Sequence, residues 1–135
     1  MAGNVLADAG FLVALLSRRD THHLWAVTQA RRFEPPWKTC EAVLSEGFHL
    51  LGRDGAPGLS ALLRREAVVI SFDLADNLEA VLKFLAKYAD VPAGLADACL
   101  VRMTEALDDP ILLTTDGDFG VYRRHGRQAV PCVRP

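Results

Sequence analysis

The stretch NVLADAGFLVALL, residues 4–16, contains the pattern that decides the fold. A short apolar run, Asn4–Ala7, stops at an acid, Asp8, and a helix-like stretch at residues 11–16 follows. A short apolar run bounded in this way is typical of a buried strand that feeds a helix. We therefore predict a strand–helix unit with a carboxylate at the carboxyl end of its strand.

Apolar runs and helical patterns alternate along the rest of the chain. Further strands are predicted at residues 67–72, 111–114 and 129–133, and helices at residues 22–33, 40–51, 57–66, 73–88, 95–107 and 119–124. Asp20 and Thr21 are candidate caps for the first of these helices and Thr39 for the second. Glycine and proline predict a turn at residues 52–58. This alternation favours a parallel sheet with helices on both faces.

The composition is that of one globular domain. The chain has 135 residues, of which 50% are apolar and 24% charged, and its formal charge is -2. A chain of this size buries about two-thirds of its surface on folding, which is enough for one core. The near-neutral charge excludes a polycation that attracts nucleic acid through its net field, so any such contact must be local.

Neither the N-terminal segment nor the cysteines indicate export. Residues 5–16 are largely apolar, but Asp8 interrupts them and the basic pair Arg18 and Arg19 follows them, which is not the order of a signal peptide. The cysteines are three in number and widely spaced, without a C-x-x-C pair: Cys40, Cys99 and Cys132. We expect buried thiols in a reducing cytoplasm, and no membrane span.

Acids stand at four places where the pattern favours other residues. They are Asp8 after the first strand, Glu46 beside an apolar helix face, Asp97 at the start of an almost wholly apolar helix, and the pair Asp116 and Asp118 after the third strand. Each alone has an ordinary explanation as a cap, a dipole partner or a turn residue. Because strand ends and a helix start can converge on one edge of a sheet, we expect these acids to meet.

A cluster of carboxylates must either take up protons or bind cations. Two carboxylates about 5 Å apart repel each other by roughly 3 kcal/mol at an effective dielectric constant near 20. Oxygen ligands without cysteine or histidine favour Mg²⁺ or Mn²⁺ over zinc. Because such ions lower the pKa of a bound water, the acids predict phosphoryl transfer to water.

Four segments of the chain resemble, in order and at the usual spacing, the motifs of PIN-domain ribonucleases of the VapC toxin type. They are NVLADAGFLVALL, TCEAVLSEGFHLL, ADACLVRM and LLTTDGDFGVYR. The resemblance implies a single domain over residues 1–135, built as a three-layer α/β/α sandwich around a mostly parallel sheet of four or five strands. It implies these catalytic acids: Asp8, Glu46, Asp97 and Asp116. It implies these metal ligands, with Thr114 as a supporting hydroxyl: Asp8, Asp97, Asp116 and Asp118.

The resemblance also implies a function. It is that of a metal-dependent endoribonuclease, the toxin of a toxin–antitoxin pair, which uses Mg²⁺ or in its place Mn²⁺. Substrates in this family are commonly tRNA or ribosomal RNA, and partners are a second copy of the toxin and a small cognate antitoxin. Family members often carry two acids in the third motif. Here the next acid after Asp97 is Glu105, which leaves the number of metal ions open.

Two other functions remain open from the sequence. One is a PIN-like RNA- or protein-binding module without catalysis. The other is a phosphoacceptor signalling domain, which would need an adjacent acidic pair after the first strand and a lysine near the end of the chain. Asp8 stands alone there, and the lysines are Lys38, Lys83 and Lys87. The signalling domain is therefore the more distant alternative.

Several other conspicuous residues receive structural interpretations. The histidines are expected to be non-catalytic: His22, His23, His49 and His125. Trp25 and Trp37 are interpreted as contacts with a second copy or an antitoxin. Arg102, within an apolar helix, is expected to form an ion pair, because a buried arginine nearly always has a partner.

Overall fold

The chain is represented by a computed structural model that describes residues 3–91 and 93–135, and within them the main sheet has five strands. The strands are β1 (Asn4–Ala7), β2 (Trp37–Thr39), β3 (Val68–Ile70), β4 (Pro110–Leu113), β5 (Arg123–Arg124), β6 (Gln128–Ala129) and β7 (Cys132–Val133). The order in the main sheet is β3-β2-β1-β4-β7, with every pairing parallel. The strands β5 and β6 form a separate antiparallel hairpin.

Helices connect the parallel strands. They are α1 (Ala9–Leu16), α2 (His23–Arg32), α3 (Glu41–Arg64), α4 (Leu78–Lys87) and α5 (Leu95–Ala106), with 3₁₀ turns at Ala75–Asn77 and Gly117–Gly120. The predicted parallel sheet with alternating helices is thus confirmed. α5 is central, as its apolar pattern predicts, since Ala98, Leu100 and Val101 are all buried.

The centre of the sheet places two candidate site residues side by side. Ala7 of β1 is paired with Leu113 of β4, and both are fully buried. The backbone N–H of Asp8 donates to the carbonyl of Leu113 at 3.0 Å, which continues the pairing by one residue. Asp8 and Thr114 therefore lie side by side, directly after the ends of β1 and β4, at the carboxyl edge of the sheet.

One strand was absent from the sequence prediction. β2 consists of only Trp37, Lys38 and Thr39, and the charged Lys38 interrupts its apolar pattern. Lys38 is accommodated because its Nζ donates to Oδ1 of Asn4 at 2.5 Å. The predicted cap Thr39 is wrong for the same reason: its hydroxyl donates to the carbonyl of Ala7 at 2.9 Å, and Cys40 occupies the N-cap of α3.

The predicted turn at residues 52–58 is reduced to Gly52, its first residue. α3 continues to Arg64, with a single break at Gly52, where φ is 68° and ψ is -167°. Glycine reaches this left-handed φ without steric cost, so the helix changes direction there and resumes. Leu59 and Leu62 of the second segment are buried in the core. Their burial keeps a stretch rich in glycine and proline helical, against its local preference.

The remaining differences are at element boundaries. Residues 73–88 are a 3₁₀ turn followed by α4, and residues 119–124 are the end of a 3₁₀ turn followed by β5. Pro131 lies between β6 and β7, where one strand was predicted at residues 129–133. The N-cap of α2 is His22, so the predicted caps, Asp20 and Thr21, are wrong. The predicted loop at residues 89–94 lies partly outside the described residues, which omit Pro92.

The cysteines are free thiols. Cys40 and Cys99 are buried as predicted, but Cys132 is only partly buried because β7 is the edge strand of the sheet. None of the helices in the described residues combines the length and the apolar character needed to cross a membrane.

Candidate active site

Asp8 is fixed by two hydrogen bonds at the carboxyl end of β1. It is the N-cap of α1, and its Oδ1 accepts from the backbone N–H of Ala9 at 2.7 Å. Its Oδ2 accepts from the hydroxyl of Thr114 at 2.6 Å. Only 6% of Asp8 is exposed. A buried carboxylate held at both oxygens has a single defined orientation.

Thr114 links the first acid to the fourth motif. Besides donating to Asp8, its Oγ1 accepts from the backbone N–H of Asp116 at 3.0 Å. Asp116 then caps the 3₁₀ turn Gly117–Gly120, because its Oδ1 accepts from the N–H of Asp118 at 2.8 Å. Thr114 thus lies between two of the acids and forms a hydrogen bond to each, while its supporting role in the site stays a prediction.

Asp97 is held by hydrogen bonds to one of its two carboxylate oxygens. It lies in the first turn of α5, where its Oδ2 accepts from the hydroxyl of Tyr122 at 2.9 Å and from the N–H of Gly94 at 3.3 Å. Tyr122 is fully buried, and its ring packs edge-to-face on Phe119 and Phe84 at centroid distances of 5.3 and 5.0 Å. The aromatic cluster therefore holds Oδ2 of Asp97, whereas Oδ1 accepts no hydrogen bond from the residues that the structure describes.

The pKa of Asp8 shows that other acids are near. Burial is the main cause that raises this pKa from 3.8 to about 6. The hydrogen bonds from Thr114 and Ala9 lower it in part. The negative charges of Asp97 and Glu46 raise it again. Acids from α3 and α5 are therefore within electrostatic reach of the end of β1.

Glu46 and Asp97 also have raised pKa values, in part because of the charges of neighbouring acids. Burial, and then the charges of Asp97 and Asp116, raise the pKa of Glu46. Burial also raises the pKa of Asp97, its hydrogen bonds lower it in part, and the charges of Asp116 and Asp118 add to the increase. The structure therefore brings all the acids predicted from the sequence into one group, which we call the acidic cluster: Asp8, Glu46, Asp97, Asp116 and Asp118.

The cluster borders a cleft of about 880 Å³. Glu46, Asp97 and Asp116 line this cleft, whereas Asp8 lies buried at the strand end. Glu46 is exposed at the surface of α3. The cleft therefore leaves three carboxylates of the cluster accessible from outside the protein.

No basic side chain in the described residues neutralises the cluster. Within residues 3–91 and 93–135 the only salt bridge joins Arg102 to Glu105 at 3.4 Å. Arg134, near the fourth motif, donates to the carbonyl of Gly117 at 3.0 Å. Its guanidinium is therefore not paired with an acid. Among the described residues, no lysine or arginine therefore forms a salt bridge with an acid of the cluster.

The donor set fits a hard divalent cation. In the described part of the chain, no group of three or more acid, histidine or cysteine side chains has the spacing of ligands around a metal ion. Three acids of the cluster, Glu46, Asp97 and Asp116, nevertheless line the cleft, and carboxylate oxygens are the ligands that Mg²⁺ and Mn²⁺ prefer. A cation that enters would also relieve the repulsion that raises the pKa values of Asp8, Glu46 and Asp97.

Other residues singled out in the sequence have mixed outcomes. Arg102 forms the predicted ion pair, and its Nε also donates to Oδ1 of Asn77 at 2.9 Å. The interpretation of Trp37 as an interface residue is wrong, because only 4% is exposed and its ring packs edge-to-face on Phe11. Trp25 packs on the same phenylalanine but is partly exposed, so its contact with a partner stays a prediction.

The sequence prediction missed two residues of the site. Tyr122 holds Asp97, and its presence in the fourth motif was the available signal. His49 lines the cleft, and its position three residues after Glu46 places both on one side of α3. Both signals were visible in the sequence.

Gly10 is needed for the approach of α1 to the fourth motif. A Cβ at this position would lie 2.1 Å from Oγ1 of Thr115. We expect Gly10→Ala to lower the free energy of unfolding by about 1–3 kcal/mol, because Thr115 must move. Urea denaturation measures the change, and Gly94→Ala is the control because no described atom lies within 4 Å of its added methyl. Equal stability of both variants would refute the close contact.

Comparisons with known proteins agree with this architecture. The PIN domain family matches residues 5–124. The crystal structure of Mycobacterium tuberculosis VapC20, described as a sarcin-ricin loop cleaving toxin, is similar with a TM-score of 0.78 and 22% sequence identity. The similarity covers 87% of this chain and 94% of that chain, and it confirms the predicted three-layer fold. Among curated proteins, none matches the sequence.

Proposed function

This chain belongs to the PIN-domain family, and from that premise we propose that it is a metal-dependent endoribonuclease of the VapC toxin type. One observation carries the proposal: acids from four separate segments meet beside a cleft, and no basic side chain of the described residues pairs with them. Uncompensated carboxylates at the carboxyl edge of a parallel sheet are suited to hold a cation against a phosphodiester.

Four acids are proposed to hold the metal, Mg²⁺ or in its place Mn²⁺: Asp8, Asp97, Asp116 and Asp118. A bound divalent cation would supply Lewis acidity at the phosphate and a lower pKa for a water. Thr114 orients Asp8 and the backbone of Asp116. Glu46, exposed at the rim of the cleft, is the acid best placed to exchange a proton with the substrate. The catalytic acids are accordingly Asp8, Glu46, Asp97 and Asp116.

A phosphoacceptor signalling domain fits the site less well. Its aspartate must reach a phosphodonor from solvent, whereas Asp8 is 6% exposed and both of its oxygens accept hydrogen bonds within the protein. In metal-dependent hydrolysis, a buried carboxylate needs only to help bind the cation. The geometry therefore favours the nuclease.

The similar VapC20 structure is that of a toxin that cleaves the sarcin-ricin loop. By analogy we infer that this chain acts on a structured RNA, ribosomal or transfer RNA, in the cytoplasm. A cognate antitoxin and a second copy of the chain are the expected protein partners. The fold is shared by proteins of different specificity, so the target needs its own experiment.

The test is cleavage of purified total RNA by the full chain. We expect fragments in the presence of Mg²⁺ or Mn²⁺, none with EDTA, and recovery when Mg²⁺ is restored. Arrest of growth on expression, relieved by the cognate antitoxin, is the expected result for the toxin role. Cleavage that continues in EDTA would contradict the metal-dependent mechanism, and cleavage without growth arrest would contradict the toxin role alone.

Tyr122→Phe tests whether the tyrosine hydroxyl holds Asp97. The ring is fully buried in an aromatic cluster that phenylalanine preserves, so we expect the melting temperature to change little. Without the hydroxyl, Asp97 loses a hydrogen bond that lowers its pKa. We expect Mn²⁺ affinity and cleavage to fall about 10- to 100-fold, as for other groups that orient metal ligands. Phe119→Leu is the packing control, and equal loss in both variants would contradict the role of the hydroxyl.

A further inference from the structure

The cleft has an apolar surface beside its acids. Phe72 and Leu74, from the segment that links β3 to α4, and Leu95, the first residue of α5, all line it. We call these three residues the apolar wall. Leu95 is 44% exposed, and Phe72 and Leu74 are partly exposed although they pack against the core. Hydrophobic side chains that remain open in a cleft gain free energy when a ligand covers them.

The charge of the cleft limits what can cover the wall. Its described lining includes Glu41, Glu46, Asp97 and Asp116, and no lysine or arginine. His49 is the sole residue of that lining able to carry a positive charge near neutral pH. A second phosphate would therefore be repelled here, whereas an uncharged aromatic group would not.

The size of the cleft also exceeds what the acids need. Its volume of about 880 Å³ lies within the range of about 300–1,000 Å³ that is typical for small organic ligands. A cation and one phosphate occupy only a small part of such a space. The rest is bordered by the apolar wall and by the small residues Ala42, Ser45 and Ala96.

We propose that the apolar wall is a nucleobase subsite, which takes one unstacked base of the RNA strand next to the phosphate bound at the acidic cluster. This inference rests on the proposed ribonuclease function and deepens it. The ring of Phe72 is the stacking partner, and Leu74 and Leu95 cover the remainder of the base. A base must leave its helical stack to enter, so the substrate is single-stranded or looped RNA at the cut site.

Cleavage of a short single-stranded RNA with a mapped cut site tests the stacking. Stacking contributes a factor of roughly 5 to 100 per base in affinity, so we expect Phe72→Ala to raise KM about 10-fold. Leu95→Ala should raise KM several-fold. Leu82→Ala is the matched control, because Leu82 is 49% exposed on α4 and is not among the residues that line the cleft. Its KM should equal that of the wild type.

An abasic nucleotide next to the cut separates stacking from general damage. In the wild type, removal of the base should raise KM about as much as Phe72→Ala does. In Phe72→Ala the same abasic substrate should cause little further increase, because the partner is already absent. An abasic penalty that is as large in Phe72→Ala as in the wild type, at either neighbouring nucleotide, would overturn the proposal.

A binding measurement distinguishes failure of the subsite from failure of the nuclease. In Phe72→Trp, nucleoside monophosphates with Mg²⁺ should quench the added tryptophan fluorescence in a saturable manner, whereas ribose 5-phosphate should not. Leu82→Trp reports non-specific quenching. If no RNA is cleaved but the nucleotides quench, the nuclease proposal fails and the base subsite stands. If RNA is cleaved, but neither the quenching nor the abasic effect depends on residue 72, the base subsite is refuted. The apolar wall would then be a contact surface for a protein partner.

Discussion

Asp97→Asn should lower RNA cleavage at least about 100-fold while the protein stays folded. An asparagine keeps one carbonyl oxygen, which can still accept from Tyr122 and Gly94 as Oδ2 of Asp97 does. Its amide nitrogen then faces the cleft in place of the uncommitted oxygen, and an amide N–H cannot bind a cation. Single-turnover cleavage at saturating Mg²⁺ measures the loss, and circular dichroism confirms that the fold is retained.

The matched control for this prediction is Asp54→Asn. Asp54 is an exposed acid of α3 that is not among the residues lining the cleft, so the same change of charge should leave cleavage within about twofold of wild type. Cleavage by Asp97→Asn at the wild-type rate, with the same Mg²⁺ dependence, would refute the assignment of this acid to the metal site.

Asp8→Asn should lose cleavage and gain stability together. The pKa of Asp8 is raised from 3.8 to about 6, so the folded state holds the proton more tightly than the unfolded chain. This contribution to stability is fully present below about pH 4 and is lost as the pH rises through about 6. At neutral pH the ionised carboxylate costs roughly 3 kcal/mol, and loss of one hydrogen-bond acceptor offsets about 1–2 kcal/mol of the gain.

The net expectation is a gain of about 1–2 kcal/mol in the free energy of unfolding at pH 7.5, measured by urea denaturation in EDTA. EDTA is needed because a bound cation would itself stabilise the folded wild type. Near pH 4, where the wild-type carboxyl is protonated in the folded state, the gain should be lost and the variant should be no more stable than the wild type. A variant that is less stable than wild type at pH 7.5 would show that the carboxylate stabilises the folded protein.

The acids could be predicted because their positions follow from local pattern. Asp8 comes directly after β1 and Asp116 shortly after the end of β4, and the carboxyl ends of parallel strands share one edge. Asp97 lies in the first turn of a helix whose apolar residues require burial at the centre. These positions depend on neighbours in the sequence, and the sheet then brings them together.

Other features depend on contacts that a local pattern does not record. β2 has three residues, too few for a period to be recognised, and its charged Lys38 is tolerated only because Asn4 on the adjacent strand accepts from it. Residues 52–58 have turn composition, yet α3 passes through them because Leu59 is buried. In both cases tertiary contacts outweigh local propensity.

Some contacts within the site also depend on tertiary packing, which a local sequence pattern does not record. Tyr122 and Asp97 are 25 residues apart in sequence, and only the packing of Tyr122 on Phe84 and Phe119 brings the hydroxyl to the carboxylate. Phe72 is the last residue of a predicted strand, and the sequence gives no signal that it borders the acids. The charges of the site and the supporting Thr114 were thus accessible from the sequence, whereas the contact between Tyr122 and Asp97 and the wall beside the acids were not.

The chemistry of the cut ends tests the central claim most directly. If a water activated at the acidic cluster attacks the phosphorus and the P–O3′ bond breaks, hydrolysis leaves a 5′-phosphate and a 3′-hydroxyl. The alternative, attack by the neighbouring 2′-hydroxyl with His49 as base, leaves a 2′,3′-cyclic phosphate and a 5′-hydroxyl without a metal ion. Ligation-based sequencing of the fragments from total RNA should find 5′-phosphate ends that form only with Mg²⁺ or Mn²⁺. Cyclic phosphate ends formed in EDTA would contradict it.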